Sequence, residues 1–228
     1  MQEVYLYQTV HILGGRSLHL TAHLAVLDRW SRELFGRPAG FRQQSLTRQI
    51  EALAAQTAPA DCDLSQFVRI VVPASGDPAF RLESAGISLY RGYDLRSLMP
   101  DAVTLQYDIP FPEAPTSARE AAAGLARPQA PLHGASVAVR CDGDGIVRTA
   151  DDAPLFAVRG KTAFVSPAEA CVEREERPVM RGELPGFDEL FYVDHRGVTA
   201  LAHCDGHPCM AILAERVAQS LGGLFPKM

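Results

Sequence analysis

Lysine is almost missing from this chain: of 22 basic residues only Lys161 and Lys227 are lysine, and the other 20 are arginine. Any chemistry that begins with a primary amine has two candidates. Charge of one sign gathers nowhere, because the net charge is −5 and no Lys/Arg cluster exceeds a short doublet. That excludes the cationic surface with which a protein neutralises a nucleic-acid backbone. Long apolar runs are lacking too. Ile70–Pro73 and Met210–Ala214 fall far short of the roughly 20 residues that span a bilayer, and no basic start leads into an apolar stretch with a small-residue cleavage site. A cytoplasmic protein without a membrane partner is expected. Five cysteines, Cys62, Cys141, Cys171, Cys204 and Cys209, are an odd and scattered set, which excludes a disulfide framework and predicts free thiols.

What is present suffices for a core. A chain of 228 residues, 47% apolar, buries roughly 70–75% of its unfolded surface and accommodates one large domain or two smaller ones. Val4–Leu13 and Arg16–Leu20 are β-rich runs on either side of Gly14-Gly15, a pair able to supply the two positive φ angles of a hairpin turn. Thr21 is expected to cap a helix carrying Leu24, Leu27 and Leu34 and ended by Gly36 and Pro38. Leu46, Ile50 and Leu53 mark a second helix. Phe67–Val72, Gly86–Tyr90 and Val103–Tyr107 read as strands. Pro110, Pro112, Pro115, Pro128 and Pro131 then bracket a helix over Ser117–Ala126 and place a domain boundary, giving an α+β domain at 1–114 and a β-rich domain at 115–228. In the latter, Ser136–Cys141, Ile146–Thr149, Leu155–Val158, Thr162–Val165, Leu190–Val193 and Val198–His203 read as strands. A last helix carries Met210, Leu213, Val217 and Leu221 along one face.

Familiar motifs fail on their chemistry. Gly160-Lys161-Thr162 has the tail of a phosphate-cradling loop, but Leu155 stands where the first glycine belongs and the segment lies between strands. Asp142-Gly143-Asp144-Gly145 lacks the third acid and the bidentate glutamate of a calcium loop, so it reads as a hairpin turn. His19 and His23 have helical metal-ligand spacing without the intervening glutamate. His203, Cys204, His207 and Cys209 form the best metal candidate. Strand alternation disperses them and no second ligand pair accompanies them, so no metal is expected.

Three segments, in order, carry a resemblance. Leu18–Leu27 (LHLTAHLAVL) is similar to a "Leu-x-x-His-Leu-x-Arg-Leu" helix, Gly145–Pro167 (GIVRTADDAPLFAVRGKTAFVSP) to a "Gly-x-Val-x-Glu … Asn-x-Phe-x-Val" strand pair, and Asp188–Leu201 (DELFYVDHRGVTAL) with Asp205-Gly206 to an "Asp-Glu-x-Phe … Gly-Thr-Ala" ending. Together they resemble the class IV aminotransferases, which include branched-chain and D-amino-acid aminotransferases and aminodeoxychorismate lyases. The resemblance implies a two-domain D-amino-acid-aminotransferase-like fold, an α+β domain followed by a pseudo-barrel, with pyridoxal phosphate between the domains and a homodimer as the assembly.

Residue by residue, it also implies that the cofactor determinants are replaced. The Schiff-base lysine falls at Pro115–Ser117, where no amine stands and Arg119 is the nearest cation. The glutamate that pairs with the pyridinium nitrogen becomes Thr149. The phosphate-binding arginine becomes Val26, the asparagine Pro154, and the phosphate-side Thr-Ala pair His195 and Arg196. Framework positions His23, Gly145, Phe156, Pro167, Asp188 and Phe191 match. Three readings follow: a protein that does not transaminate, expects no cofactor and binds a small anionic metabolite in the old cleft through Arg119, Thr149, His195 and Arg196; an active pyridoxal-phosphate aminotransferase or lyase; or a structural dimer.

Overall fold

The computed structural model describes residues 3–57, 64–88, 99–165 and 175–222. Within it the chain divides into two compact units. The first holds β1 (Tyr5–Leu13), β2 (Arg16–Ser17), α1 (Leu20–Phe35), α2 (Gln43–Thr57), β3 (Ser65–Pro73) and β4 (Arg81–Ser88). Its sheet is antiparallel, in the order β2-β1-β3-β4. Period-2 alternation points Leu6, Val10 and Ile12 of β1 and Val68, Ile70 and Val72 of β3 to one face, where they pack with Leu24, Leu27, Leu46 and Ile50 of the helices. Gly14 and Gly15 take φ of 55° and 72°, the left-handed pair the hairpin requires.

Helix α1 starts differently from the sequence expectation. Its N-cap is His19, at φ 50° and without a side-chain capping bond, so Thr21 is helical and caps nothing. Gly36 closes the helix in the left-handed conformation with its N–H on the Ser31 carbonyl, as expected of a C-terminal glycine. β4 begins at Arg81, earlier than the expected strand at Gly86, and Leu89 and Tyr90 lie outside the described residues. Ala114–Ser117 returns to this unit. Thr116 bridges Leu6, and the Pro115 carbonyl accepts the Tyr7 N–H at 2.9 Å.

The second unit contains a curled sheet of ten strands: β5 (Asp101–Gln106), β6 (Val137–Cys141), β7 (Val147–Ala150), β8 (Ala153–Arg159), β9 (Thr162–Val165), β10 (Glu175–Glu176), β11 (Glu189–Asp194), β12 (Gly197–Ala200), β13 (His203–Cys204) and β14 (His207–Pro208). β5 lies parallel to both β6 and β13. β8 is the hub: its start pairs with β7, its end with β9, and its middle with β11. There Phe156 and Phe191 face each other in register, rings stacked at 5.0 Å, both fully buried. The expected strand Val198–His203 is two pieces, β12 and β13, broken at Leu201 and Ala202.

α3 (Ser117–Ala126) has the expected bounds and runs on into a 3-10 turn, Arg127–His133. α4 spans Ile212–Gly222. Met210 precedes it and is 49% exposed, while Ala214 and Ala218 are the buried contacts. Leu213 and Val217 are half-buried beside them, and the Leu221 side chain lies outside the described residues. Its N-terminus is held by Glu189, a buried carboxylate on β11 that accepts the Leu213 N–H at 2.8 Å and the Ala214 N–H at 3.2 Å. The carboxylate meets both the orphan amides and the positive end of the helix dipole.

Candidate functional site

β6 reads Val-Ala-Val-Arg-Cys. Alternation sends Val137, Val139 and Cys141 into the core with Val147, Leu155, Leu190 and Leu201, and Ala138 and Arg140 to the opposite face. Ala138 is covered there by Ala126, Ala130 and Ala135, beside Val103, Leu105 and Tyr107. Arg140 follows at the end of that apolar patch. Its in-register partners are Leu105 on β5 and Thr149 on β7, and Thr149 pairs in turn with Pro154 on β8. Directly opposed residues share a face, so Arg140, Thr149 and Pro154 form one row.

Arg140 is 2% exposed, yet its Nε and Nη1 have no hydrogen-bond partner, and Nη2 reaches only the Pro112 carbonyl at 3.5 Å. The Tyr107 ring lies 5.9 Å from its guanidinium carbon. Burial pulls its pKa below the ordinary arginine value, and the nearby guanidiniums of Arg119 and Arg148 pull the same way, with Tyr107 and Asp142 offsetting part of the effect. It remains a cation at neutral pH.

The other arginines around this row have acids. Arg119, at the start of α3, donates from Nε to the Asp152 carboxylate at 2.5 Å and from Nη2 to the Asp152 carbonyl at 2.6 Å. Arg127 is paired with Asp151. Arg196 holds Asp194 at 2.7 Å and reaches Asp151 at 3.3 Å. Burial alone would lower the Arg196 pKa, but the aspartates outweigh it and the net direction is upward. Arg148 binds Asp142 at 2.8 Å and approaches Glu113 at 3.8 Å. The β7–β8 turn, Asp151-Asp152 with φ of 46° and 68°, is thus the anchor on which three arginines meet.

Of the residues expected to bind a ligand, the structure gathers Arg119, Thr149 and Arg196 around the end of β7 and this turn. His195 stands in the half-buried turn between β11 and β12. Arg119 and Arg196, both expected to bind a ligand, each hold an aspartate here. Sequence reasoning missed Arg140. Its signal was a charged residue inside an otherwise apolar run, Ser136–Cys141.

Asp142 Oδ1 accepts the N–H groups of Asp144 and Ile146, which makes the Asp142–Gly145 segment a turn closed by its own aspartate. Among the described residues, no three His, Cys, Asp or Glu side chains come together as a metal site. His203 bonds Asp101 at 2.7 Å, and Cys204 is buried while His207 is exposed. Burial pushes the thiol pKa of Cys141 up to about 11 and that of Cys204 up to about 12. His23 shares a hydrogen bond with Gln8 at 2.8 Å. Val26 is half-buried on α1, and Lys161 sits exposed in the β8–β9 turn. Lys227, Cys62, Cys171 and Pro167 lie outside the described residues.

The fold is that of the class IV aminotransferases. A putative 4-amino-4-deoxychorismate lyase from Legionella pneumophila superposes with a TM-score of 0.75 at 13% identity, over 97% of this chain and 91% of that one. The Escherichia coli branched-chain amino acid aminotransferase gives 0.74 at 16% identity, over 97% and 86%. A fold IV-transaminase from Curtobacterium pusillum gives 0.72 at 14% identity, over 98% and 87%. No family model matches the sequence and no curated protein matches it. Among the described residues no helix is long and apolar enough to cross a membrane.

Proposed function

We propose that this chain is a class IV aminotransferase fold that does not transaminate, and that its second unit binds a small anionic metabolite at the arginine-rich face of β6, β7 and β8. The observation that carries the first part is the position of the only lysine among the described residues. Pyridoxal phosphate supplies its chemistry through a reversible imine with a lysine amine, and arginine cannot replace that amine because it does not deprotonate. Lys161 follows Gly160, at the far end of β8 from Pro154 and Thr149. At about 3.3 Å per residue the strand separates them by roughly 20 Å, well beyond the reach of a lysine side chain.

The rest of the residue set fits the coenzyme no better. Thr149 is neutral and cannot hold a proton on a pyridine nitrogen, and the Arg140 guanidinium opposite it disfavours a second positive charge there. The second part of the proposal is supported by the same row of residues: a buried guanidinium with unpartnered donors is a cationic site with a preference for an anion.

The test is direct. The full chain is incubated with pyridoxal phosphate, scanned for the yellow aldimine, reduced with borohydride and digested for mass analysis. The expected result is no stoichiometric adduct at Lys161 or Lys227. A coenzyme fixed to one lysine, together with amino-group transfer to a keto acid, would overturn the reading.

A further inference from the structure

Arg140 is the one arginine of its neighbourhood without an acid at contact distance. Arg119, Arg127, Arg148 and Arg196 each hold an aspartate. The groups facing Arg140 electrostatically are Tyr107, Arg119, Arg148 and Asp142. Asp142 is committed to Arg148 and to the amides of its own turn. Across the strand pair stands Thr149, which has no charge to offer. One positive charge is therefore left buried and uncompensated, a costly arrangement unless an anion completes it.

The geometry of the free donors specifies the kind of anion. A guanidinium presents two edges at which a pair of N–H groups lie parallel, Nε with Nη2 and Nη1 with Nη2. Each Nη carries two N–H groups, one toward each side. The Pro112 carbonyl takes at most one from Nη2, by a long bond. Whichever edge that is, the other keeps an intact two-donor fork, because both Nε and Nη1 are without partners. Such a fork matches the two oxygens of a carboxylate, and a single uncompensated charge calls for a monoanion. The half-buried ring of Tyr107 lies alongside as an apolar wall.

We infer that Arg140 is the ligand-recognising group of this protein and that its ligand is a small monocarboxylate, held bidentately by the guanidinium beside Thr149 and Tyr107. The inference rests on the anion-binding part of the proposed function and names the group and the ligand class.

The experiment uses the full chain and measures thermal denaturation and calorimetric titration with sodium acetate, benzoate, phosphate and chloride at fixed ionic strength. Acetate and benzoate are expected to raise the midpoint saturably, because a ligand that binds only the folded state stabilises it by mass action. Chloride, a single spherical acceptor that cannot give each N–H its own oxygen, is expected to do so at least about tenfold more weakly. R140L, which removes an unpaired buried charge, is expected to fold and to lose the carboxylate response. R140K keeps the charge without the planar fork and is expected to weaken carboxylate binding about 10- to 100-fold, the loss of one or two charge-assisted bonds.

A carboxylate response that survives in R140L, an unchanged affinity in R140K, or chloride equal to acetate would each overturn the inference and leave anion binding elsewhere in the unit standing. No response to any anion would remove both. A borohydride-fixed coenzyme would sink the non-transaminating reading whatever Arg140 does.

Discussion

Placing a carboxylate opposite Arg140 tests the electrostatic reasoning from inside the protein. Thr149 is 5% exposed and in register with Arg140, so their Cβ atoms are about 5 Å apart. Thr149→Glu introduces an acid that reaches the unpartnered guanidinium. Removing one partner from a buried ion pair costs about 3–5 kcal/mol. Supplying the missing partner returns energy of that order, reduced by desolvation of the new carboxylate to a net gain of about 1–2 kcal/mol. For a chain of this size each kcal/mol moves the midpoint by about 2–4 °C, so T149E is expected to melt about 2–8 °C higher than wild type without ligand. It is also expected to lose the acetate response, since the fork is filled. Thr149→Gln, of similar volume and neutral, separates charge from packing and is expected to be less stable than T149E. Differential scanning calorimetry with an acetate titration reads both effects. Equal destabilisation by T149E and T149Q, with acetate affinity unaltered, would refute the idea that Arg140 lacks an anion.

Two further predictions concern the scaffold that holds this row. Glu189→Ala leaves the first amides of α4 without their acceptor and is expected to cost about 2–4 kcal/mol in urea denaturation, the sum of lost charge-assisted bonds and the helix-dipole interaction; a change under about 0.5 kcal/mol would contradict the capping role. Burial works to raise the Asp142 pKa, but the Ile146 and Asp144 amides and Arg148 outweigh it, and the net direction is down. A carboxyl depressed in the folded state stabilises above its unfolded value near 3.9, and that stabilisation is lost as pH falls through the folded value. Asp142→Asn is therefore expected to cost about 1–2 kcal/mol at pH 7, and the gap between wild type and variant unfolding curves is expected to shrink as pH falls below the unfolded carboxyl value and to close below the folded one. A gap that stays constant with pH would sink the assignment.

Much of the fold was legible because its signals are local. Gly14-Gly15 between two β-rich runs requires a left-handed pair whatever the surroundings, and the proline-bracketed Ser117–Ala126 helix emerged with its bounds intact. The errors also have local causes. His19 took the helix entry from Thr21 because the chain turns through a left-handed residue before the first helical turn, which side-chain capping propensity does not foresee. Met210 was counted in the last helix because helical spacing extends past the point where Glu189 starts it. Thr149 and Arg196 are a different matter: the resemblance orders them in sequence, and what they touch is set by the fold. Arg196 is held by Asp194 and Asp151, the latter 45 residues away along the chain.

Composition by itself determined that amine chemistry has two candidates, and residue order pointed to the fold, because hydrophobic periodicity and turn residues act over a few positions. Only tertiary structure decided which of the described arginines around β6 and β7 are paired with an acid and that Arg140 is not. Charge pairing depends on distance in space: the strand register that sets Arg140 opposite a neutral threonine, and gathers the aspartates around its neighbours, is a property of the folded sheet.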